Sequence, residues 1–143
     1  TKDRYGVDVM KVEIPVNMKY VDGAASFSRD VVYTRAEAKE HFLAAAEVST
    51  KPFIYLSAGV SNAEFTESLE LAAESGVRFA GVLCGRATWK DGISIYAKDG
   101  VGPFKRWLET QGVANIKNVN RCLEAASPWF TSYGVASPDA LAG

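Results

Sequence analysis

The sequence predicts an α/β fold in which short strands alternate with helices and pair side by side in a parallel sheet. Three segments rich in β-branched and aromatic residues are each followed by a segment with helical spacing and its own start signal. Of the 143 residues, 48% are hydrophobic and 23% are charged, as in an average well-cored globular domain. Disordered and collagen-like chains are therefore excluded.

The first two thirds of the chain contain the strand candidates, which cover residues 7–16, 53–57 and 78–84. Thr34 and Ser61 each precede a glutamate by three residues, a spacing typical of a capping box, and both are expected to start helices. The first of these helices should run to roughly Glu47, and Gly76 fits a left-handed cap at the end of the second. A buried stripe on the second helix is predicted for Phe65, Leu69 and Ala72.

The C-terminal third is predicted to add two more helices. Pro103 suits the first turn of one of them, with Gly112 as its stop. Residues 116–126 form the other, which ends before Pro128. The Asp91–Gly92 pair is expected to form a turn, and the tail beyond the last helix to be frayed or loosely docked.

No linker or change of composition divides the chain, so residues 1–143 are expected to belong to a single domain. Three βα units cannot bury both faces of a parallel sheet by themselves. A complete (β/α)8 barrel takes about 250 residues, so this organisation indicates one segment of a larger barrel. The alternative is a small doubly wound domain.

Charge and cysteine content narrow the classes of function. Sixteen Lys and Arg against 17 Asp and Glu leave a net charge of -1, so no overall field would attract nucleic acid or an anionic membrane. Two cysteines, Cys84 and Cys122, are too few for a disulfide framework and lack metal-ligand spacing. No apolar run approaches the roughly 18 residues of a membrane span, and no signal peptide is visible. The expectation is a cytoplasmic protein without a metal or cofactor.

A lysine and a glutamate share one face of the first predicted strand. Because side chains alternate across a strand, Lys11 and Glu13 point the same way, and the opposite face is wholly apolar and suited to packing on helices. Burial disfavours the charged form of a lysine, which would leave its amine free to attack a ketone carbonyl. Glu13 can then hold a proton or orient that amine. The alternative is a structural Lys–Glu pair.

Two glycine-containing turns follow the second and third strands. In (β/α)8 barrels the last two βα loops commonly form a phosphate site from backbone N–H groups and a helix N-terminus. Gly59 and Gly85 permit close approach of an anion to the backbone, and Arg86 offers a planar fork suited to phosphate. The predicted phosphate contacts are Ser57, Ala58, Gly59, Gly85 and Arg86. Taken singly, each turn is equally explained as a simple tight turn.

The loop after the first strand is long enough to act as a lid. Asn17, Lys19 and Tyr20 are its candidates for contacts with a substrate. Lys19 is the rival of Lys11 for the reactive amine, and it ranks second because a loop lysine stays solvated and protonated. His41, the single histidine, falls within a predicted helix, where packing explains it better than catalysis.

Four segments resemble the tagatose 1,6-diphosphate aldolase family, class I aldolases with a (β/α)8 barrel. They are DVMKVEIPVNMKYV (residues 8–21), YLSAGVS (55–61), GVLCGRATW (81–89) and ASPW (126–129). The resemblance implies that the chain is the C-terminal part of the barrel, about strands 6–8 with their helices. It also implies that Lys11 is the Schiff-base lysine, that Ser57 and Arg86 hold a substrate phosphate, and that an acidic proton-transfer residue lies outside this chain.

The same resemblance implies cleavage of a ketose 1,6-bisphosphate, such as tagatose 1,6-diphosphate, into dihydroxyacetone phosphate and glyceraldehyde 3-phosphate. A phosphorylated ketose is then the expected partner, and an exposed apolar sheet edge should be covered by association into a homo-oligomer. Three alternatives stay open: a sulfofructosephosphate-type aldolase, a sugar-phosphate-binding protein without turnover, and a (β/α)8 isomerase that uses the lysine as an acid and base.

Overall fold

The computed structural model describes residues 3–141 and contains one parallel sheet flanked by helices. Its strands are β1 (Met10–Glu13), β2 (Phe53–Leu56) and β3 (Val82–Leu83), hydrogen-bonded in that order. The predicted α/β class with a parallel sheet is confirmed. Within the described range, no helix is long and apolar enough to cross a membrane.

Helices follow each strand along the chain. They are α1 (Arg35–Glu47) after β1, α2 (Asn62–Glu74) after β2, and α3 (Arg86–Trp89), α4 (Gly92–Asp99), α5 (Val101–Trp107) and α6 (Val113–Cys122) after β3. Short 3-10 turns cover Asp3–Tyr5, Met18–Tyr20, Leu123–Ala125, Trp129–Tyr133 and Pro138–Leu141. Because the three strands are parallel, their carboxyl ends, which lead into the helices, all lie at one edge of the sheet.

Each strand is shorter than predicted, and the third keeps only Val82 and Leu83 of the predicted range 78–84. Gly81 has φ +147°, a backbone region that favours glycine, so regular strand geometry is broken just before β3. Pairing with β2 nevertheless extends past this point. Ala80 N donates to Phe53 O at 2.7 Å, and Tyr55 N donates to Gly81 O at 3.1 Å.

The two predicted capping boxes use their glutamates differently. At α1, Glu37 N donates to the Thr34 hydroxyl while Thr34 N donates to the Glu37 carboxylate, so this box is complete. The hydrogen bond from the Thr34 backbone holds the pKa of Glu37 below its usual range. At α2, Ser61 Oγ accepts from Glu64 N, but the Glu64 carboxylate lies 3.7 Å from Lys19 Nζ. The capping box predicted at Ser61 is therefore only half correct, because the Glu64 side chain does not accept a hydrogen bond from the Ser61 backbone.

The core lies between the sheet and helices α1 and α2. The predicted stripe of Phe65, Leu69 and Ala72 is buried, and Gly76 follows α2 with φ +78°, as predicted. The Tyr55 ring on β2 contacts three other aromatic rings, edge-on or tilted: those of Phe42, Phe53 and Phe79. This packing occupies the helix-facing side of the sheet and leaves the opposite side for other contacts.

Two expectations for the C-terminal helices are wrong. Gly112 does not end a helix, because its φ is -59° and a π-helical segment, Leu108–Gly112, joins α5 to α6. The helical backbone of Gly112 lets the Val113 N–H donate to Leu108 O, so the hydrogen-bond ladder continues through the glycine. Gly92 begins α4, and the turn before it is formed by Lys90 and Asp91.

The C-terminal tail is docked against the sheet, so of the expected frayed or loosely docked tail the frayed form is wrong for residues 3–141. Tyr133 Oη donates to Asp8 O at 2.6 Å, and Ser127 N donates to Phe79 O at 2.9 Å. Both bonds join the tail to segments beside the starts of the strands. The tail thus closes the end of the sheet opposite to the strand-to-helix turns.

Tyr55→Phe is expected to raise the free energy of unfolding at pH 7 by about 1 kcal/mol. Tyr55 is 1% exposed, and its hydroxyl has no hydrogen-bond partner within residues 3–141. Burial raises the pKa of Tyr55 from 10.0 to about 12, so the folded chain keeps this proton at pH values where the unfolded chain loses it. Stability of the unmodified chain should therefore fall as the pH rises from 10.0 towards about 12, and the variant should lack this fall. Urea unfolding of both chains at pH 7, and at a pH close to the raised pKa of Tyr55, tests the gain in stability and its pH dependence. A variant less stable than the unmodified chain at pH 7 would contradict the expected gain.

Candidate active site

Lys11 and Glu13 lie on the face of the sheet opposite the helices. Their parallel partners on β2 are Ile54 and Leu56. Lys11 and Glu13 are both exposed, whereas the β1 residues that alternate with them are half-buried against the core. The predicted shared face is thus observed. The expected burial of Lys11 is wrong for the described chain, because residues 3–141 leave this face of β1 open.

A cavity of about 310 Å³ lies at the carboxyl ends of β1 and β2. Glu13, Asn17, Ser57 and Ala58 line it together with Glu64, which sequence reasoning treated only as a capping residue. Ser57 is 6% exposed and Glu64 is 5% exposed. The structure therefore gathers four of the predicted site residues around one cavity, whose wall combines hydroxyl, amide and carboxylate groups with apolar side chains such as Ile14 and Val60.

The turn after β2 has an unusual backbone. Ser57 O accepts from Val60 N at 3.1 Å, and both central residues have positive φ, 49° at Ala58 and 82° at Gly59, as in a type I′ turn. Glycine adopts this region freely, whereas an alanine is strained there by roughly 1–2 kcal/mol. Contacts around the turn must therefore hold Ala58 in place.

Arg86 and Lys90 both contact that turn from α3. A Cβ built on Gly59 would lie 3.0 Å from Arg86 Cζ, and Lys90 Nζ donates to Gly59 O at 2.8 Å. Gly85, just before α3, lies beside Trp89, whose Nε1 is 3.6 Å from the corresponding Cβ position. The two predicted phosphate turns are thus adjacent. Sequence reasoning missed Lys90, although its spacing of four residues from Arg86 places both on one face of a helix.

A buried amide connects the helices that follow the two turns. Asn115 on α6 is 5% exposed. Its Nδ2 donates to Thr88 O on α3 at 2.9 Å, and its backbone O accepts from Asn62 Nδ2 on α2 at 3.0 Å. Gln111 Nε2 donates to the Asn115 Oδ1 atom at 2.8 Å. Helix α6 therefore ties α2 to α3, and with them the turn after β2 to the turn after β3.

Asn115→Ala is expected to lower the free energy of unfolding by about 1–2 kcal/mol, because it removes two partly buried hydrogen bonds of the Asn115 side chain. The carbonyl of Thr88 and the amide of Gln111 would lose their hydrogen bonds. Chemical unfolding measures the change. Asn118→Ala, on the exposed side of the same helix, is the matched control and should change stability by less than about 0.5 kcal/mol. Equal losses in the two variants would contradict a special role for Asn115.

The loop between β1 and α1 is attached to α2. Lys19 Nζ lies 3.7 Å from the Glu64 carboxylate, and the Glu67 carboxylate accepts hydrogen bonds from Ala25 N and Ser26 N. Tyr20 is held through its carbonyl, which accepts from two backbone N–H groups later in the loop. Of the three predicted lid residues, only Asn17 lines the cavity, and substrate contacts by all three stay predictions.

Other groups with possible chemistry lie apart from this region. Within residues 3–141, no group of three or more His, Cys, Asp or Glu side chains is placed to hold a metal ion. Burial raises the pKa of the Cys84 and Cys122 thiols, which disfavours their reactive thiolate forms. His41 is exposed and contacts Tyr33 edge-on at 5.0 Å. A larger cavity, about 500 Å³, lies at the opposite end of the sheet, against the docked tail.

The parallel βα units define an α/β protein, and polar side chains gather at the carboxyl ends of its strands, the edge at which proteins of this architecture commonly bind their ligands. The family model described as DeoC/LacD family aldolase matches residues 2–91, a range that contains every predicted site residue. The chain belongs to this family.

Curated relatives are similar over nearly the whole chain. Tagatose 1,6-diphosphate aldolase of Listeria monocytogenes serotype 4a (strain HCC23) is 50% identical over 135 residues, which cover 94% of this chain and 39% of the relative. The Lactococcus lactis subsp. lactis protein of that name is 50% identical over 127 residues, covering 88% and 38%. Tagatose 1,6-diphosphate aldolase 2 of Streptococcus pyogenes serotype M1 is 48% identical over 130 residues, covering 90% and 39%. The resemblance predicted from the four segments is confirmed, and the chain spans about two fifths of the length of these relatives.

Proposed function

We propose that residues 1–143 are the C-terminal segment, about strands 6–8 with their helices, of a single (β/α)8 aldolase domain. Three parallel βα units in sequence order support this arrangement. In a closed barrel the sheet face opposite the helices lines the interior, and Lys11 and Glu13 occupy that face. The remaining strands would then cover Lys11 and supply the burial that the described residues do not.

The activity that the site supports best is class I cleavage of a ketose 1,6-bisphosphate, such as tagatose 1,6-diphosphate, into dihydroxyacetone phosphate and glyceraldehyde 3-phosphate. One observation carries this proposal. The chain is 50% identical, over 94% of its length, to a protein named tagatose 1,6-diphosphate aldolase, and it retains an amine on the strand face beside the two turns.

Lys11 is proposed to attack the C2 carbonyl of the ketose, and loss of water gives an iminium ion. A base outside this chain removes the proton of the C4 hydroxyl, the C3–C4 bond breaks, and its electron pair moves into the iminium as the aldehyde leaves. Protonation of the enamine at C3 and addition of water then release dihydroxyacetone phosphate and restore the amine. Glu13, two residues away on the same face, orients the amine or holds a proton.

The phosphate is proposed to bind at the adjoining turns through Ser57, Ala58, Gly59, Gly85 and Arg86. Contact between Arg86 and Gly59 supports a shared anion site. Ser57 follows Ile54, the register partner of Lys11, by three residues, so the turn lies roughly 10 Å further along the sheet than the Lys11 backbone. A lysine side chain and a phosphorylated carbon chain extend towards each other across this gap, which sets the carbonyl over the amine.

Intact mass of the complete protein after treatment with borohydride and dihydroxyacetone phosphate tests the proposal. A covalent adduct that maps to Lys11 is the expected result. A protein that binds phosphate without forming the adduct would be a sugar-phosphate-binding protein. Interconversion of two sugar phosphates without trapping would identify an isomerase, and preferential cleavage of sulfofructosephosphate would identify that type of aldolase.

We further propose a cytoplasmic homo-oligomer. Within residues 3–141, β3 is paired on one side only, and its Leu83 is 53% exposed. In the complete barrel the remaining strands would cover such an edge. In the isolated chain an unpaired apolar edge favours association, so that chain is expected to form dimers or larger species in light scattering. A monodisperse monomer would contradict this expectation.

A further inference from the structure

We infer that Lys90 is a positioning residue that holds the turn after β2 in its strained conformation and, with Arg86, leaves positive charge there for the phosphate monoester of a substrate. The inference rests on the phosphate site of the proposed function. It concerns a residue that contacts the turn and not the reacting atoms.

The first observation is geometric. Lys90 Nζ donates to Gly59 O at 2.8 Å in a partly buried setting, and Lys90 N donates to Arg86 O at 2.9 Å to close α3. Gly59 is the second of two successive residues with positive φ. Because a charged donor forms a stronger hydrogen bond than a neutral one, Lys90 holds the carbonyl that this conformation presents and so stabilises the turn, including the strained Ala58.

The second observation is electrostatic. Arg86 and Lys90 both contact Gly59, so two positive charges are neighbours. Neither takes part in the ion pairs formed among the described residues. An ammonium group has three donors, and only one of those on Lys90 is used by Gly59. Two adjacent cations that no described carboxylate neutralises favour an anion with two negative charges, as a phosphate monoester has near neutral pH.

The test compares Lys90→Met, Lys90→Arg and Lys98→Met in the complete protein. Lys98→Met removes the same charge from an exposed position on α4. Two quantities are measured: hydrogen exchange of the Val60 amide, which donates to Ser57 O within the turn, and the dissociation constant for inorganic phosphate by calorimetry. Exchange of the Val60 amide reports the stability of the turn in the absence of any ligand.

Lys90→Met is expected to speed exchange of the Val60 amide about tenfold and to weaken phosphate binding about tenfold. Lys90→Arg keeps a charged donor and should stay within about threefold of the unmodified chain, and Lys98→Met should leave both quantities unchanged. Unchanged Val60 exchange in Lys90→Met would overturn the inference, as would equal weakening by Lys98→Met. If the unmodified protein binds no phosphate, the proposed phosphate site is wrong. The exchange of the Val60 amide still decides whether Lys90 holds the turn.

Discussion

Lys11→Arg is expected to lower the yield of the borohydride adduct with dihydroxyacetone phosphate at least about 100-fold in the complete protein. A guanidinium group keeps the charge but stays protonated, so it cannot condense with the ketone. Lys11 lies exposed on the open face of β1, so the substitution removes no core contact of the described residues. Intact mass followed by peptide mapping measures the yield and the site of attachment.

Lys19→Arg is the matched control for this experiment. Lys19 is paired with Glu64 at 3.7 Å, and arginine can keep that ion pair. The adduct should therefore form in the control with a yield close to that of the unmodified protein. Loss of the adduct in Lys19→Arg and its survival in Lys11→Arg would transfer the reactive amine to the loop after β1.

Gly92→Ala is expected to lower the free energy of unfolding by about 3 kcal/mol, at the upper end of the usual cost of overpacking. Gly92 is buried at the start of α4, where an added Cβ would lie 2.7 Å from Phe104 Cε2 and 2.7 Å from Trp107 Cε3. These two rings stack on each other, with centroids 6.5 Å apart, so neither can move without disturbing its neighbour. Chemical unfolding followed by circular dichroism measures the loss.

Gly102→Ala controls for the intrinsic effect of replacing a helical glycine. Gly102 lies in α5, and the nearest atom to its added Cβ is the end of the Arg106 side chain at 3.8 Å. Alanine is favoured over glycine within a helix, but Gly102 precedes Pro103, whose ring disfavours helical backbone for a residue that carries a Cβ. The two effects oppose each other, so this variant should stay within about 1 kcal/mol of the unmodified chain. A large loss of stability in Gly92→Ala but not in Gly102→Ala would assign the Gly92 effect to packing. A Gly92→Ala chain as stable as the unmodified one would refute that assignment.

The parts of the fold that were predictable from sequence depend on neighbours along the chain. The alternation of side chains on β1 places Lys11 and Glu13 on one face whatever packs against it. The capping box at Thr34 and the left-handed cap at Gly76 likewise involve only residues within a few positions of each other. The choice of the turns at Gly59 and Gly85 required only that two parallel strands end at the same edge of the sheet.

The parts that sequence reasoning missed depend on residues brought together by the fold. Lys90 binds Gly59 across 31 positions, and Asn115 joins Asn62 across 53 positions. The spacing of four residues from Arg86 indicates which helix face carries Lys90 but not which residue it contacts, and no local pattern marks the contact of Asn115. The prediction of a turn at Gly92 is wrong for the same reason. The rings of Phe104 and Trp107 pack so closely against this helical position that only glycine fits there.

By itself, the sequence determined the α/β class, the family and the position of the candidate lysine, since these follow from local periodicity and from motifs that need no partner. Only the tertiary structure decided that Lys11 is exposed within residues 3–141, that Lys19 is paired with Glu64, and that two cations meet the turn after β2. Burial and charge pairing are properties of atoms gathered from distant parts of the chain, so no local reading of the sequence contains them.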